Sequence, residues 1–109
     1  MPVIAQIAAF HDEMTSWRHH VHAHPETAFE EHATAAFVAE RLSAFGLQVH
    51  QGLARTGVVG TLTAGEGRAI GLRADMDALP IAEANQFDHR SRHPGRMHAC
   101  GHDGHTAML

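Results

Sequence analysis

The chain has 109 residues, of which 44% are hydrophobic and 18% charged, and its formal net charge is −4 with neutral histidines. This length and composition predict one small folded domain and exclude a disordered chain. Its 8 Lys and Arg residues form no basic run, which argues against nucleic-acid binding, and no apolar stretch approaches the ~20 residues of a membrane span. The single cysteine and the lack of a basic secretion signal predict a cytoplasmic, reducing location.

The first predicted element is an amphipathic helix from about Ile4 to His22. Its apolar residues recur at steps of three and four, which places them on one helical face that we expect to be core. Histidines at positions 19, 20, 22 and 24 end this segment, and some of them must then face solvent. We interpret this group as having no metal-binding role. The apolar stripe comprises Ile7, Phe10, Met14, Trp17 and Val21.

A second helix is predicted after Pro25, because the residue before a proline is pushed out of the helical conformation. Thr27 and Glu30 match the S/T-x-x-E capping box that begins many helices. Gly46 is well placed to end this helix. The apolar residues with helical spacing between these points are Ala33, Phe37, Val38, Leu42 and Phe45.

Three β-strands are predicted after Gly46, at 47–50, 57–63 and 69–74, because these short segments are β-branched or alternate in polarity. The sequence AGEGR at 64–68 predicts a hairpin loop between the last two strands. Ile70 and Leu72 would place the last strand in the core. Helices followed by strands predict an α/β or α+β fold.

Residues 75–96 show no sustained periodicity and are predicted to form a long ordered loop, a type of loop that is often functional. Asp75 and Asp77 stand at its start, where a strand is predicted to end. Ligands bind at that end of open α/β sheets, and extended residues two apart point to one side, so both acids would face one cavity. The alternative is a pair of turn-forming aspartates beside Pro80.

The sequence MHACGHDGHTAML ends the chain and predicts the start of another helix, with Asp103 as a possible N-cap. Cys100 and His102 offer a thiolate and an imidazole at a spacing that lets both reach one ion, and such ligands suit Zn²⁺ and related metals. A buried free cysteine beside a helix cap is the alternative. His98 and His105 are expected to lie behind the ligands or in solvent.

A Cys–His nucleophile pair at Cys100 and His102 is conceivable, but it leaves the neighbouring aspartates and glycines without a role. The chain contains no G-x-S-x-G, P-loop, G-x-G-x-x-G or H-E-x-x-H motif. A metal site is therefore the more complete interpretation of these residues.

Three segments together carry a family resemblance: HAHPETAFEEH, GLRADMDALPI and RMHACGHDGHTAML. In this order they resemble the N-terminal motifs of metal-dependent N-acyl-amino-acid amidohydrolases, the group of hippurate hydrolases, indole-acetyl-amino-acid hydrolases and N-acetyl-diaminopimelate deacetylases. That group is part of a superfamily of di-metal exopeptidases. The resemblance implies an α/β fold, with residues 1–109 as the N-terminal portion of the catalytic domain.

The same resemblance implies a role for each candidate residue. Cys100 and His102 would be ligands of a di-metal centre holding Zn, Mn, Co or Ni. Asp75 and Asp77 would lie beside that centre as catalytic-site acids, one of them orienting a ligand. Asp75 stands where many superfamily members have a metal-binding histidine, a departure typical of the amidohydrolase branch.

The implied activity is metal-dependent hydrolysis of the amide bond of small N-acyl amino acids, with no nucleic-acid or membrane partner. Family members are several times longer, and their general base and further ligands lie downstream. We therefore interpret the chain as a fragment that is inactive alone, while the complete protein could be a homodimer. A non-catalytic metal-binding module and an inert remnant or assembly partner are the alternatives.

Overall fold

The structure is a computed structural model that describes residues 2–109. Within this range, four α-helices and one antiparallel sheet of two strands confirm the predicted mixture of helices and strands. None of the described helices is both long and apolar enough to cross a bilayer. In chain order the elements are α1 (Ala5–Ala8), α2 (His11–Ala23), α3 (His32–Ala44), β1 (Gln48–Leu53), β2 (Gly57–Thr61) and α4 (His102–Met108).

The N-terminal part differs from the prediction, because α1 and α2, separated by a turn, replace one helix between Ile4 and His22. Along the predicted apolar stripe, Val21 is fully buried, whereas Ile7 and Phe10 are exposed. Helix α2 packs against α4. Helical stability depends mostly on such packing, so the N-terminal turns, with exposed apolar side chains, do not continue the long helix.

The start of α3 is capped by a residue outside the predicted capping box. Thr27 Oγ1 donates a hydrogen bond of 2.8 Å to Glu30, but both residues precede the helix. The Glu26 carboxylate instead accepts the backbone N–H groups of Ala33 (3.0 Å) and Thr34 (2.6 Å). Burial raises the pKa of Glu26, but the hydrogen bonds to it outweigh burial and lower the pKa below its usual value.

The end of α3 confirms the prediction made for Gly46. Its φ of +85° lies in the left-handed region that favours glycine. The Gly46 N–H donates to the carbonyl of Ser43 (3.0 Å), and the Leu47 N–H donates to the carbonyl of Leu42 (3.1 Å). These two bonds form a Schellman motif, which satisfies the last carbonyls of the helix and ends it.

The two strands form a hairpin that lies earlier in the chain than predicted. Leu53 of β1 is opposite Gly57 of β2, and the turn between them contains Ala54 and Arg55, both with positive φ. The predicted hairpin at 64–68 is therefore wrong. Its glycines suggested a turn, but the real turn is made by residues that carry no such signal.

Helix α3 packs on this hairpin, and Gly60 of β2 marks the contact. A Cβ atom at Gly60 would lie 2.8 Å from Leu47 Cδ2 and 3.1 Å from Leu42 Cδ1. A side chain at this position would force both leucine side chains to shift, so glycine lets the two leucines lie directly on the strand.

The predicted strand at 69–74 is wrong for the described chain, which forms no strand there. Ile70 is 88% exposed and Leu72 is 76% exposed, so neither reaches the core. A strand requires a neighbour that accepts and donates its backbone hydrogen bonds. Within residues 2–109 the segment has no such neighbour, although its local sequence pattern is that of a strand.

The predicted long loop at 75–96 is irregular, but it is tied to the helical part of the chain. The Ala78 N–H donates to the carbonyl of Glu26 (2.8 Å), and Leu79 exchanges two backbone hydrogen bonds with Met97. The buried apolar core beside these contacts is made of small residues: Val21, Ala23, Ala35, Ala39, Ala78 and Ala107.

Candidate metal centre

Asp77 and His102, which come from separate sequence motifs, are in direct contact. The Nδ1 atom of His102 lies 2.9 Å from Asp77 Oδ1 and 2.9 Å from the Asp77 carbonyl oxygen. Both oxygens are acceptors, so Nδ1 carries the proton and donates it. In a neutral ring the lone pair is then on Nε2, the form in which histidine binds a metal.

Asp75 has different partners. Its carboxylate accepts a hydrogen bond from the Arg73 guanidinium, and its main-chain carbonyl accepts one of 3.0 Å from Thr106 Oγ1. The two acids therefore share no hydrogen-bond partner. The strand geometry from which we predicted a common orientation for Asp75 and Asp77 is absent, because residues 69–74 are unpaired.

Cys100 and His102 stand on either side of Gly101, where α4 begins. The φ of Gly101 is +134°, a conformation that disfavours a side chain, and it leads directly into the first residue of the helix. Cys100 is exposed and free, which contradicts the alternative of a buried core cysteine. His105, one turn further along α4, is exposed as predicted, with its ring centroid 6.0 Å from that of His102.

The donor set fits part of a metal centre. Cys100 offers an accessible thiol, and His102 offers an imidazole whose orientation is held by a carboxylate. Thiolate and imidazole are donors that Zn²⁺ and neighbouring divalent metals accept. However, no group of three or more His, Cys, Asp or Glu side chains within residues 2–109 is arranged to hold an ion. Two donors therefore have to be completed by others.

A buried polar network lies behind α4 and is centred on His22. Its Nδ1 atom lies 2.8 Å from Asp103 Oδ2, and its Nε2 atom lies 2.9 Å from Glu83 Oε2. All three side chains are at least nine-tenths buried. Arg18 Nε donates to the same Asp103 oxygen at 3.3 Å from a more exposed position. The network thus joins α2, α4 and the 75–96 loop.

The prediction that Asp103 caps α4 is wrong. Gly101 occupies the N-cap position, and Asp103 is the second residue of the helix. Its side chain turns inward to His22, with the residue only 1% exposed. The ion pair and hydrogen bond with His22 satisfy the carboxylate there, a role that a local capping pattern does not reveal.

Both carboxylates of this network are held in the ionised form. Burial raises the pKa of Glu83, but hydrogen bonds from His22, the Ser91 N–H and Asn85 outweigh it and lower the pKa to about 2. Burial likewise raises the pKa of Asp103, and the His22 hydrogen bond leads the effects that bring it below its usual value. Two acceptor carboxylates require that both ring nitrogens of His22 donate, which is the imidazolium form.

His98 is also buried, at 5% exposure. Neither of its ring nitrogens has a hydrogen-bond partner within residues 2–109. Burial lowers the pKa of His98, although the nearby Asp103 carboxylate opposes this effect. A buried imidazole of this kind favours the neutral form.

Sequence reasoning missed His22 and Glu83 as parts of this site. His22 belongs to a group of four histidines of which only some are expected to face solvent, and Glu83 lies outside the three motifs. The chain separates His22 from Asp103 by 81 positions and from Glu83 by 61. A signal for His22 was present, because His22 is the first residue of the HAHPETAFEEH motif and directly follows the buried Val21.

Comparison with known proteins gives the same family as the motifs. Residues 71–109 match the family model described as peptidase family M20/M25/M40. An N-acyl-L-amino acid amidohydrolase of Geobacillus stearothermophilus is 52% identical over 98 residues, which are 89% of this chain and 26% of the relative. A hippurate hydrolase of Campylobacter jejuni is 46% identical over 100% of this chain and 29% of its own length.

A solved structure shows the same similarity in three dimensions. The crystal structure of a Bacillus subtilis dinuclear metal binding peptidase from the M20 family matches with a TM-score of 0.84 and 37% identity, covering 92% of this chain and 29% of that one. This chain therefore spans less than a third of the length of these relatives. The motifs, the sequence identity and the fold agree: residues 71–109 match peptidase family M20/M25/M40, and nearly the whole chain is similar to the N-terminal part of its amidohydrolase and peptidase relatives.

Proposed function

We propose that the protein containing this chain hydrolyses the amide bond of N-acyl amino acids, using a divalent metal centre to which Cys100 and His102 contribute. The observation that carries the proposal is the contact between His102 Nδ1 and Asp77, since it leaves Nε2 available as a ligand. The names of the relatives, an N-acyl-L-amino acid amidohydrolase and a hippurate hydrolase, support this substrate class.

Asp77 orients the ligand in this proposal. Its carboxylate holds the His102 ring in one tautomer, and a carboxylate on the far nitrogen raises the basicity of the ligating one. Asp75, paired with Arg73, has a weaker claim to a direct role, because within residues 2–109 no hydrogen bond joins it to Cys100 or His102. We propose it as an acid at the edge of the site.

The metal would supply a Lewis acid for the acyl carbonyl and a water of lowered pKa. Zn²⁺, Mn²⁺, Co²⁺ and Ni²⁺ are the candidates, and the thiolate–imidazole pair favours Zn²⁺. A di-metal centre is supported by the M20 peptidase that is described as dinuclear. We assign residues 1–109 to the N-terminal portion of the catalytic domain, and a thiolate ligand at Cys100 would fit a cytoplasmic, reducing location.

The test uses the protein at the length its source produces. Bound metal is measured by elemental analysis, and turnover is measured on a panel of benzoyl-, acetyl- and indole-acetyl-amino acids. Cys100→Ser and His102→Ala should each lower the bound metal, since a hydroxyl and a methyl group replace good donors. His105→Ala is the matched control, because His105 lies on the same helix and is exposed.

Asp77→Asn should lower turnover more than metal content, because the amide still accepts a hydrogen bond from His102 but no longer offers a negative charge. Unchanged metal content in both ligand variants would contradict the assignment of Cys100 and His102. Metal uptake without hydrolysis of any substrate in the panel would favour the non-catalytic metal-binding module.

A further inference from the structure

We propose that His22 is a positioning residue for the candidate metal centre, because its imidazole ties Asp103 of α4 to Glu83 and so holds His102 against Asp77. This inference rests on the proposed function. His22 lies in neither of the two motifs that carry the candidate ligands, and it reaches them only through the fold.

The imidazole of His22 contacts two carboxylates, one with each ring nitrogen. One ring nitrogen of His22 bonds to Asp103 and the other to Glu83, at 2.8 and 2.9 Å. The side chains are 7%, 2% and 3% exposed for His22, Asp103 and Glu83, respectively. Buried charge-assisted hydrogen bonds of this length are strong and directional, so each carboxylate is held in one place.

Asp103 and Glu83 lie on the two segments that form the candidate site. Asp103 directly follows His102 in α4, so fixing its side chain fixes the first turn of the helix. Glu83 lies on the same irregular segment as Asp77, and its other oxygen accepts the Ser91 N–H at 2.6 Å, which closes that part of the loop. A change at His22 would therefore alter the relative position of Asp77 and His102.

His22 acts through these neighbours and has no path to substrate of its own. Its side chain is 7% exposed and both ring nitrogens are engaged. The charges also balance within the network: the imidazolium and the Arg18 guanidinium offset the two carboxylates. Removing the imidazolium would leave two buried carboxylates with one partly exposed cation.

The first variant is His22→Gln, tested in the protein at its native length. Glutamine can donate from its amide nitrogen to one carboxylate, but its carbonyl then faces the other carboxylate, and two acceptors cannot bond. We expect metal affinity to fall by about 10-fold or more, and kcat to fall more than KM changes, since supporting residues of metal sites have effects of about 10–100-fold.

The double variant His22→Gln with Glu83→Gln should restore most of the loss. The amide nitrogen introduced at position 83 can donate to the glutamine carbonyl at position 22, while Asp103 accepts from the amide nitrogen at position 22. Rescue by a second substitution shows that the pairing matters, and a loss caused by general damage to the fold would not be rescued. The matched control is His24→Gln on the same segment, because the His24 ring hydrogen-bonds to the His20 carbonyl and not to the network.

Metal affinity is measured by competition with a chelator, using Zn²⁺ and Mn²⁺ separately, and is normalised to the folded fraction. A folded His22→Gln variant with wild-type metal affinity and kcat would overturn the inference. So would an unrescued double variant that is folded. If His22→Gln does not fold, Glu83→Gln alone replaces it; a several-fold lower metal affinity then supports the inference, and unchanged affinity overturns it.

The wild-type protein separates this inference from the proposed function. A wild type that binds neither metal nor substrate overturns the proposed function, and the inference falls with it. A wild type that binds metal and hydrolyses N-acyl amino acids, beside a normal His22→Gln variant, overturns the inference alone.

Discussion

The region around α4 and the segment 62–74 differ sharply in how far their side chains are buried and bonded to the rest of the chain. Around α4, buried charged side chains from three parts of the chain bond to one another within 3 Å, as in the His22–Asp103 pair. Between residues 62 and 74, apolar side chains such as Ile70 and Leu72 lie almost fully in solvent. Hydrogen bonds among the described residues therefore fix the polar network around α4, whereas the apolar segment 62–74 is left exposed.

This difference indicates that polar contacts, rather than apolar packing, orient the site residues in a chain whose core is small. The buried apolar residues are few and mostly alanine, so packing alone contributes little orientation. Hydrogen bonds between ionised groups are directional and lose much energy when one partner is removed. The relative position of α2, α4 and the loop therefore depends on a few polar side chains, and the exposed segment should tolerate change.

Asp103→Ala should lower the free energy of unfolding the most, because it disrupts the buried network around α4. It leaves the His22 imidazolium buried with one of its two carboxylates missing, and losing one partner of a buried pair costs about 3–5 kcal/mol. Urea denaturation followed by circular dichroism measures the change. Glu40→Ala is the control, because Glu40 is 70% exposed beside Arg41, and its loss should cost under about 1 kcal/mol. Equal effects of both substitutions would contradict the assigned importance of the network.

Acid should weaken the same network through Glu83. Its pKa is about 2 in the folded chain and 4.5 for the free side chain, so its stabilising contribution is complete above pH 4.5 and is lost as the pH falls toward 2. Glu83 accepts hydrogen bonds from His22 of α2 and, within its own loop, from Asn85 and the Ser91 N–H, and its charge also acts on His89.

Glu83→Gln provides the comparison for the acid effect, because its amide does not titrate. The difference in unfolding free energy between wild type and Glu83→Gln should shrink as the pH falls from 4.5 to 2, while Asp103 contributes its own acid dependence to both proteins. A difference that stays constant over this range would show that Glu83 is not held as a carboxylate.

Glu26→Ala should have a smaller effect than either change in the network, because it removes a helix cap and leaves no buried charge. Ala33 and Thr34 would lose the acceptor of their N–H groups, a loss of about 1–2 kcal/mol. Thr27→Ala is the control, since the Thr27 hydroxyl donates to Glu30 ahead of the helix. If Thr27→Ala proved the more harmful in urea denaturation, the capping box predicted from sequence would be the true start of α3.

Ile70→Ser and Leu72→Ser should have the smallest effect. Both residues are exposed in the described chain, so substitution should change the stability of the 109-residue chain by no more than about 0.5 kcal/mol. Val21→Ala, at a fully buried position, should cost at least about 1 kcal/mol in the same denaturation experiment. A larger loss at Leu72 than at Val21 would show that residues 69–74 pack against the chain after all.

Local sequence predicted those features whose causes are local. Gly46 ends α3 because a glycine with positive φ closes the last turn, and nothing distant is needed. The start of the same helix was misplaced, because its cap, Glu26, lies outside the four-residue pattern that signals a cap. The prediction of a strand at 69–74 was wrong for a related reason, since a strand exists only where another strand pairs with it.

The sequence by itself determined the helical segments, the end of α3 and the three motifs that indicate an amidohydrolase. It also predicted Asp77, Cys100 and His102 as site residues, because each lies in a motif made of residues that are neighbours in the chain. Only the tertiary structure decided that His102 is held by Asp77 across 25 positions, and that His22 bonds to Asp103 across 81. Such contacts depend on how distant segments pack, and no local pattern encodes that packing, so they emerge only when the chain is folded.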